Sequence, residues 1–431
     1  MGGSANGEQL VAVVLGETAL ITALAALLSA AARRLGQPAV IGQLLAGMAL
    51  GPSVLGHLPG HLNDALFPPA ALPLLSALAQ VGLVLFMFSV GYELDLTLLR
   101  GAGRSVIAVA VGTFALPMTL GLGLSLTLHS GHDGGGPAHS LGFVLFLAVA
   151  VSITAVPVLA AIVGDYRMTG TVPGVLSTAA ATIVDVVGWA VLAVAVAAAT
   201  AQATSLAVMC VLTVAYVLTV VFMIRPVLRR WLRTKVLAQQ RVALVVALAM
   251  TSAWATATLG LHTIFGAVLV GLLTPRRHDP DAELLRPIQR AGDVLLPVFF
   301  VTAGLSADVG ALHGTDFLLL AVILAIAVVG KVVGGGLGGR LAGLGWRDAT
   351  TVGVLMNTRG LTELIALSVG RQVGLLDSRL YTILVLMALI TTIATPPLLT
   401  ALGYGPKQDR APGAELVAVS PARRAGGSFS S

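Results

Sequence analysis

Apolar stretches of roughly 18 to 25 residues recur from one end of this 431-residue chain to the other. As helices rising about 1.5 Å per residue, each is long enough to cross a hydrocarbon layer about 30 Å thick. Lipid offers the backbone no hydrogen-bonding partner, so only helices or a closed barrel can span it, and the strand-like alternation a barrel needs is absent. Composition agrees, with 57% of residues hydrophobic and 10% charged, against about 25% charged in soluble domains. The expectation is an all-α integral membrane protein with about 13 transmembrane helices, at 9–32, 38–56, 72–94, 105–128, 141–163, 173–199, 204–224, 241–259, 261–274, 288–306, 316–337, 349–370 and 379–403.

Arginine and lysine placement orients these spans, because cytoplasmic loops carry the positive excess. Arg33, Arg34, Arg100, Arg104, Arg167, the run from Arg225 to Arg241, the run from Arg276 to Arg290, Arg340, Arg347, Lys407 and Arg410 fall on one side. His57, Asp64, His129, Asp133, Asp308 and Asp316 fall on the other, with Arg371 and Arg379. The N-terminus is therefore expected outside and the C-terminus in the cytoplasm, in a multi-pass cell-membrane protein of the bacterial inner-membrane kind. The net charge of +6 is then a topological signal, and no basic patch interleaved with aromatics points to nucleic acid.

The opening residues MGGSANGEQL lack the positive segment and cleavage site of a signal peptide, so the N-terminus is expected to remain on the protein. Residues 404–431, rich in Gly, Ser, Ala and Pro, read as a disordered cytoplasmic tail. Cys210, the single cysteine, lies in an apolar run and reads as a packing residue.

A charge inside a span costs at least about 2.5–3.5 kcal/mol on insertion scales and persists mainly where it lines a pathway or meets a partner. Asp185, Lys331, Arg359 and Glu363 are such charges; Glu17, near one end of the first span, can simply reach the interface. Asp185, in ATIVDVVGW, sits near the bilayer midplane. Desolvation there opposes a bare carboxylate, so a proton or a metal cation must neutralise it, and the two can exchange. Lys331 is one of three lysines in a chain with 22 arginines. Its ammonium is a compact charge that can lose a proton, which a guanidinium effectively cannot; a lysine snorkelling from a span end is the competing reading.

Two spans are interrupted. SITAVPVLA places Ser152, Thr154 and Pro157 in the middle of the fifth, where proline removes a backbone donor and disfavours helix in the residue before it. Asn357, Thr358 and Gly360 form the matching polar, helix-weak patch in the twelfth. Unwound backbone at membrane depth is tolerated only where it is buried in protein or lines a wet cavity, and a corresponding pair of broken segments points to a secondary-transporter site. The two breaks are seven spans apart, so they cross the membrane in opposite directions, as two inverted six-helix repeats around a linking seventh span require. At such a crossing Arg359 can serve free carbonyl ends, with Glu363 at i+4 as its counter-charge. An anionic substrate on Arg359 is the alternative.

GQPAVIGQLLAGMALGPSVLG at 36–56, LVLFMFSVGYELDLTLLR at 83–100, SITAVPVLAAIV at 152–163, LGLHTIFGAVLVGLLTPR at 259–276, LLPVFFVTAGLSADV at 295–309 and MNTRGLTELI at 356–365 resemble the monovalent cation:proton antiporter family of the sodium/hydrogen exchanger superfamily. The Kef-type and plant CHX-type branch, with patterns such as SITAFPVLARIL and LMNTRGLVELI, is the most similar, and the resemblance runs to about residue 403. It implies the sodium/proton-antiporter fold, with crossed broken helices in a homodimer. It also implies a membrane domain at 9–403, divided into a dimerisation part (about 9–100 and 241–306), a core part (about 105–199 and 316–403) and a linker helix (204–224). Residue by residue, Asp185 matches the family's ion-binding aspartate, Thr154 the threonine at the first break, Lys331 the lysine beside the site and Arg359 the arginine of the second broken helix.

The chain departs from the family at several positions. Val184 stands where some members have a second acid, Ala161 where the branch often has arginine, and Gln43 and Ala257 where it often has glutamate. The Kef-type nucleotide-binding domain is not expected within this chain.

The function expected from the resemblance is antiport of protons against Na+ or K+, the two competing for Asp185. Thr154 would complete the cation shell, and Ser152, Asn357, Lys331, Arg359 and Glu363 would support it. No resident cofactor is expected, and with one carboxylate at the site the exchange should be electroneutral. An exporter of a small organic ion and a cation channel are the rival readings. Enzymatic function is not expected, because paired catalytic aspartates and an HExxH motif are absent and no convincing Ser–His pair stands out; His262 reads as a helix-end residue.

Overall fold

The computed structural model describes residues 2–57, 66–93, 103–129, 137–200, 206–232, 238–259, 261–274 and 281–405. Residues 406–431 of the expected tail, the loop positions Asp64, Arg100, Asp133, Lys235, Arg276, Lys407 and Arg410, and the side chain of Cys210 lie outside them.

The described residues form α1 (Gly2–Arg34), α2 (Ala39–Leu50), α3 (Leu72–Glu93), α4 (Arg104–His129), α5 (Pro137–Ala150), α6 (Val156–Asp165), α7 (Val172–Thr200) and α8 (Leu206–Thr219). A π turn at Val220–Ile224 carries α8 into α9 (Arg225–Leu232). There follow α10 (Ala238–Thr258), α11 (Thr263–Leu273), α12 (Asp281–Leu305), α13 (Gly314–Leu341), α14 (Trp346–Met356), α15 (Leu361–Gln372) and α16 (Ser378–Ala401). Nine of the described helices are long and apolar enough to cross a membrane, while α2, α5, α6 and α11 are shorter apolar helices. The two spans expected to be interrupted are each divided in two, α5 from α6 and α14 from α15.

Periodicity explains which faces are buried. In α1 the buried positions are Glu17, Ile21, Ala25, Ser29 and Ala32, one stripe at helical spacing, and the rest of that helix is largely exposed. The helices fall into two packed groups. One joins α1, α2 and α3 to α10, α11 and α12; the other joins α4, α5, α6 and α7 to α13, α14, α15 and α16. Because lipid is as apolar as leucine, close backbone approach at small residues holds such helices together. A Cβ built on Gly334 would lie 2.1 Å from the Gly112 carbonyl oxygen, and one on Gly335 would lie 2.7 Å from Gly353 Cα. The glycine-rich stretch of α13 therefore lets α4 and α14 reach its backbone, and this packing fixes the depth of Lys331, one turn earlier.

Contacts between the two groups are sparse, and several are polar. Tyr381 Oη donates to Ala303 O at 3.0 Å and Arg371 Nη1 to Ser306 O at 2.7 Å. His262, which caps α11 by accepting from the Ile264 N–H at 3.4 Å, meets Gln372 Oε1 through Nε2 at 3.0 Å. Beside these contacts lies a cavity of about 470 Å³ whose lining includes Gln80, Thr302, Ser306, Ser368 and Arg371.

Candidate functional site

The two breaks touch. Between α5 and α6 the chain is out of helix through Ile153, Thr154 and the extended Ala155, and between α14 and α15 it unwinds from Asn357 to Gly360. The Ala155 N–H donates to Thr358 O at 3.2 Å, and Thr154 Oγ1 donates to Met356 O at 2.9 Å. Pro157 stands in the first turn of α6, where its missing N–H is not needed and its fixed φ suits a helix start. Gly360, at φ +150°, adopts a backbone conformation that side chains resist. A Cβ there would also press on Val158 Cγ2 at 2.9 Å, so glycine lets the second break lie against α6.

Helix ends at a crossing leave carbonyls without intrahelical partners, and two buried cations take them. Arg359 Nη1 donates to Ala150 O and to Glu363 Oε1, both at 2.9 Å, and Nη2 donates to Val151 O at 2.5 Å. Lys331 Nζ donates to Ser152 O and to Thr154 Oγ1, the latter at 2.6 Å. Arg359, Glu363, Lys331, Thr154 and Ser152 are all fully buried. The end of α5 is thus neutralised by a guanidinium, and the extended segment after it by an ammonium.

Asp185 lies on α7 beside this crossing. One turn on, a Cβ on Gly188 would lie 2.9 Å from the Ile153 side chain, so α7 runs against the first break. The carboxylate is 1% exposed, and neither oxygen accepts a hydrogen bond of ordinary geometry among the described residues, although the Trp189 indole stands close by. Asn357 Oδ1 and the second oxygen of Glu363 are buried and unpartnered as well. Buried polar atoms without partners are costly and uncommon, and Asn357, Arg359, Thr362 and Glu363 carry such atoms at the second break and in the first turn after it. Lys331 is electrostatically coupled to Asp185 but spends its hydrogen bonds on the break. All seven side chains singled out in the sequence are brought to this region, whereas Glu17 is buried in the other helix group.

Comparison with known proteins gives the chain its relatives. The profile of the family described as "Sodium/hydrogen exchanger, transmembrane" matches residues 19–402. The chain belongs to the sodium/hydrogen exchanger family. Cation/H(+) antiporter 20 of Arabidopsis thaliana is 35% identical over 90% of the chain and 48% of its own length. The Na(+)/H(+) antiporter NhaS4 of Synechocystis sp. is 33% identical over 91% of the chain and 98% of its own length. The K(+)/H(+) antiporter 1 of Saccharomyces cerevisiae is 31% identical over 85% of the chain and 44% of its own length. The chain thus spans about half the length of several relatives it matches and nearly all of NhaS4. Among solved structures, the sodium proton antiporter MjNhaP1 of Methanocaldococcus jannaschii shares the fold, with a TM-score of 0.68 over 91% of this chain and 98% of that one, at 15% identity.

Some parts of this family member's site were not visible in the sequence. Thr392 of α16 clamps the second break, accepting from the Arg359 N–H at 3.1 Å and donating to Arg359 O at 2.7 Å. Its signal was four buried threonines in an otherwise apolar span, Thr382, Thr391, Thr392 and Thr395, but hydroxyls that can bond their own helix do not announce a distant partner. The Trp189 indole, one turn beyond Asp185, is buried beside that carboxylate with Nε1 short of a hydrogen bond of ordinary geometry, and it reads in sequence as an ordinary apolar residue.

Proposed function

We propose that this sodium/hydrogen exchanger chain is a secondary active antiporter that exchanges protons for Na+ or K+ at Asp185. The observation that carries the reading is the Asp185 carboxylate, buried with no hydrogen bond of ordinary geometry beside two bonded helix breaks. Burial of a bare carboxylate is strongly unfavourable, so the site moves through the low-dielectric barrier only when a proton or a cation has neutralised it. Alkali ions need several oxygens. Asp185 contributes two free ones, and the Thr154 hydroxyl, Asn357 Oδ1, the Ser152 carbonyl and water complete the shell. Lys331 and Arg359 keep the unwound backbone charge-balanced while either ion is bound, and Glu363 balances Arg359.

The two helix groups supply the division of labour: α1–α3 with α10–α12 as the dimerisation part of a homodimer, α4–α7 with α13–α16 as the moving core, and α8 as the link. On the sequence count of thirteen crossings, this reading has the N-terminus outside and the C-terminus in the cytoplasm, in a cell membrane. The cavity of about 470 Å³ between the groups gives outer access, and one of about 310 Å³, lined by Ala160, Thr178 and Thr182, approaches within a turn of Asp185 from the arginine-rich side. The transported ions are the only small species the cycle requires, and no bound cofactor takes part.

The test is proton flux in liposomes on addition of Na+, K+ or Li+, for the parent and for Asp185→Asn. Cation-triggered flux is expected in the parent and lost in a correctly folded variant; undiminished flux in the variant would remove Asp185 from the site.

A further inference from the structure

A third cavity, of about 330 Å³, lies between α7, α8 and the α10–α11 pair, with Trp189, Ala193, Tyr216, Val217, Phe265 and Leu269 in its lining. It too lies between the helix groups and reaches within a turn of Asp185 at Trp189, but it shares no lining residue with the cavity of about 470 Å³. Its walls are nearly all carbon, and such a space stays dry in water. Trp189 and Phe265 face each other edge to face at 6.1 Å. Helix α8 makes one wall and is otherwise exposed along Val211, Val214 and Leu218; Tyr216, hydrogen bonded to Ser252 Oγ, ties it to α10. An apolar opening at membrane depth beside a lipid-exposed helix can be filled by one abundant material, hydrocarbon chain.

The same helix carries a charge that selects which lipid. Past the π turn, α9 reads RPVLRRWL, with Leu228 buried and Arg225, Arg229 and Arg230 exposed. A short amphipathic basic helix at a membrane boundary attracts anionic headgroups. Nine residues separate Tyr216 from Arg225, about 14 Å along a helix axis, close to the half-thickness of about 15 Å of a hydrocarbon core. We propose that one anionic phospholipid of the arginine-rich leaflet binds here, its phosphate on Arg225, Arg229 and Arg230 and an acyl chain in the crevice against Trp189. The chain would wedge the helix that carries Asp185 against α11, and lipid charge would then bear on how that helix moves. Binding itself stands independently of the antiport reading.

Trp189 supplies the probe, because the other tryptophans are Trp231, Trp254 and Trp346. A variant with those three changed to Phe is reconstituted in phosphatidylcholine liposomes that contain a small fraction of phosphatidylglycerol or phosphatidylcholine brominated on its acyl chains. Quenching of Trp189 by the brominated phosphatidylglycerol is expected to be several-fold greater than by the brominated phosphatidylcholine. Adding Arg225→Gln, Arg229→Gln and Arg230→Gln should bring the two to equality, and Ala193→Phe, which fills the crevice, should lower both. Equal quenching by the two lipids before any arginine is changed would overturn the proposal. A second readout needs no tryptophan changes: mass spectrometry of lipid co-purified with the parent should find anionic phospholipid that the triple arginine variant has lost, and equal retention would count against the site.

Discussion

Lys331 Nζ donates to Thr154 Oγ1 at 2.6 Å, and that same hydroxyl donates onward to Met356 O at 2.9 Å. One threonine thus joins three elements: the glycine-packed α13, the first break and the end of α14. Its hydroxyl proton is committed to a carbonyl, so its oxygen faces positive charge, which is the state a cation ligand requires.

Thr154→Ala leaves Met356 O without its donor and the ammonium without one acceptor. An unsatisfied buried group costs about 1–3 kcal/mol, so the cation KM should rise roughly tenfold or more. Thr154→Ser should recover most of the loss. Cation-concentration series of proton flux provide the measurement, and an alanine variant with the parental KM would rule the hydroxyl out as a ligand.

Arg359 and Glu363 form a fully buried pair at 2.9 Å, and the guanidinium also holds Ala150 O and Val151 O. Breaking a buried pair from one side costs about 3–5 kcal/mol. Arg359→Met, which also strands two carbonyls, should therefore unfold at markedly lower temperature than Glu363→Gln, which keeps an acceptor for the guanidinium. Thermal unfolding in detergent, followed by intrinsic fluorescence, ranks the two; the reverse order would show that the carbonyls do not depend on Arg359.

Gly334→Leu and Gly336→Ala make a contrast four and six residues beyond Gly330. A Cβ on Gly334 meets the Gly112 carbonyl at 2.1 Å, whereas one on Gly336 meets nothing within 4 Å. Overpacking costs about 1–3 kcal/mol or more, so Gly334→Leu should separate α4 from α13 and lower both stability and transport. Gly336→Ala should leave both at the parental level.

Val184 occupies the position beside Asp185 where a second acid would add charge to the cycle. With one carboxylate shared by proton and cation, exchange should be one-for-one and produce no net current. Recordings on solid-supported membranes check this: a sustained cation-gradient-driven current, abolished by Asp185→Asn, would mean that another group, with Lys331 the nearest titratable neighbour, carries charge through the cycle.

Much of the architecture was legible because lipid enforces it. A span needs a run of apolar residues, a break needs helix-weak ones, and a charge at depth needs a reason, so the helices, both interruptions and the buried Asp185, Lys331, Arg359 and Glu363 could be read one stretch at a time. The i+4 spacing of Arg359 and Glu363 is local, and the pair forms as that spacing allows. Thr392 could not be read in this way, because its clamp on Arg359 joins positions 33 residues apart, and nothing in a threonine-containing apolar helix names the partner.

The sequence by itself determined that this chain is a membrane-embedded helical protein with two weak points and a few charges too costly to be idle, since those properties follow from the free energy of each segment in lipid. Only the tertiary structure decided that Lys331 serves the Ser152 carbonyl and the Thr154 hydroxyl while Asp185, beside the Trp189 indole, accepts no hydrogen bond of ordinary geometry. That choice depends on how closely α13 and α7 approach the breaks, which is set by packing at glycines such as Gly334 and Gly188. Packing between distant segments is a property of the assembled bundle, so no single stretch of sequence contains it.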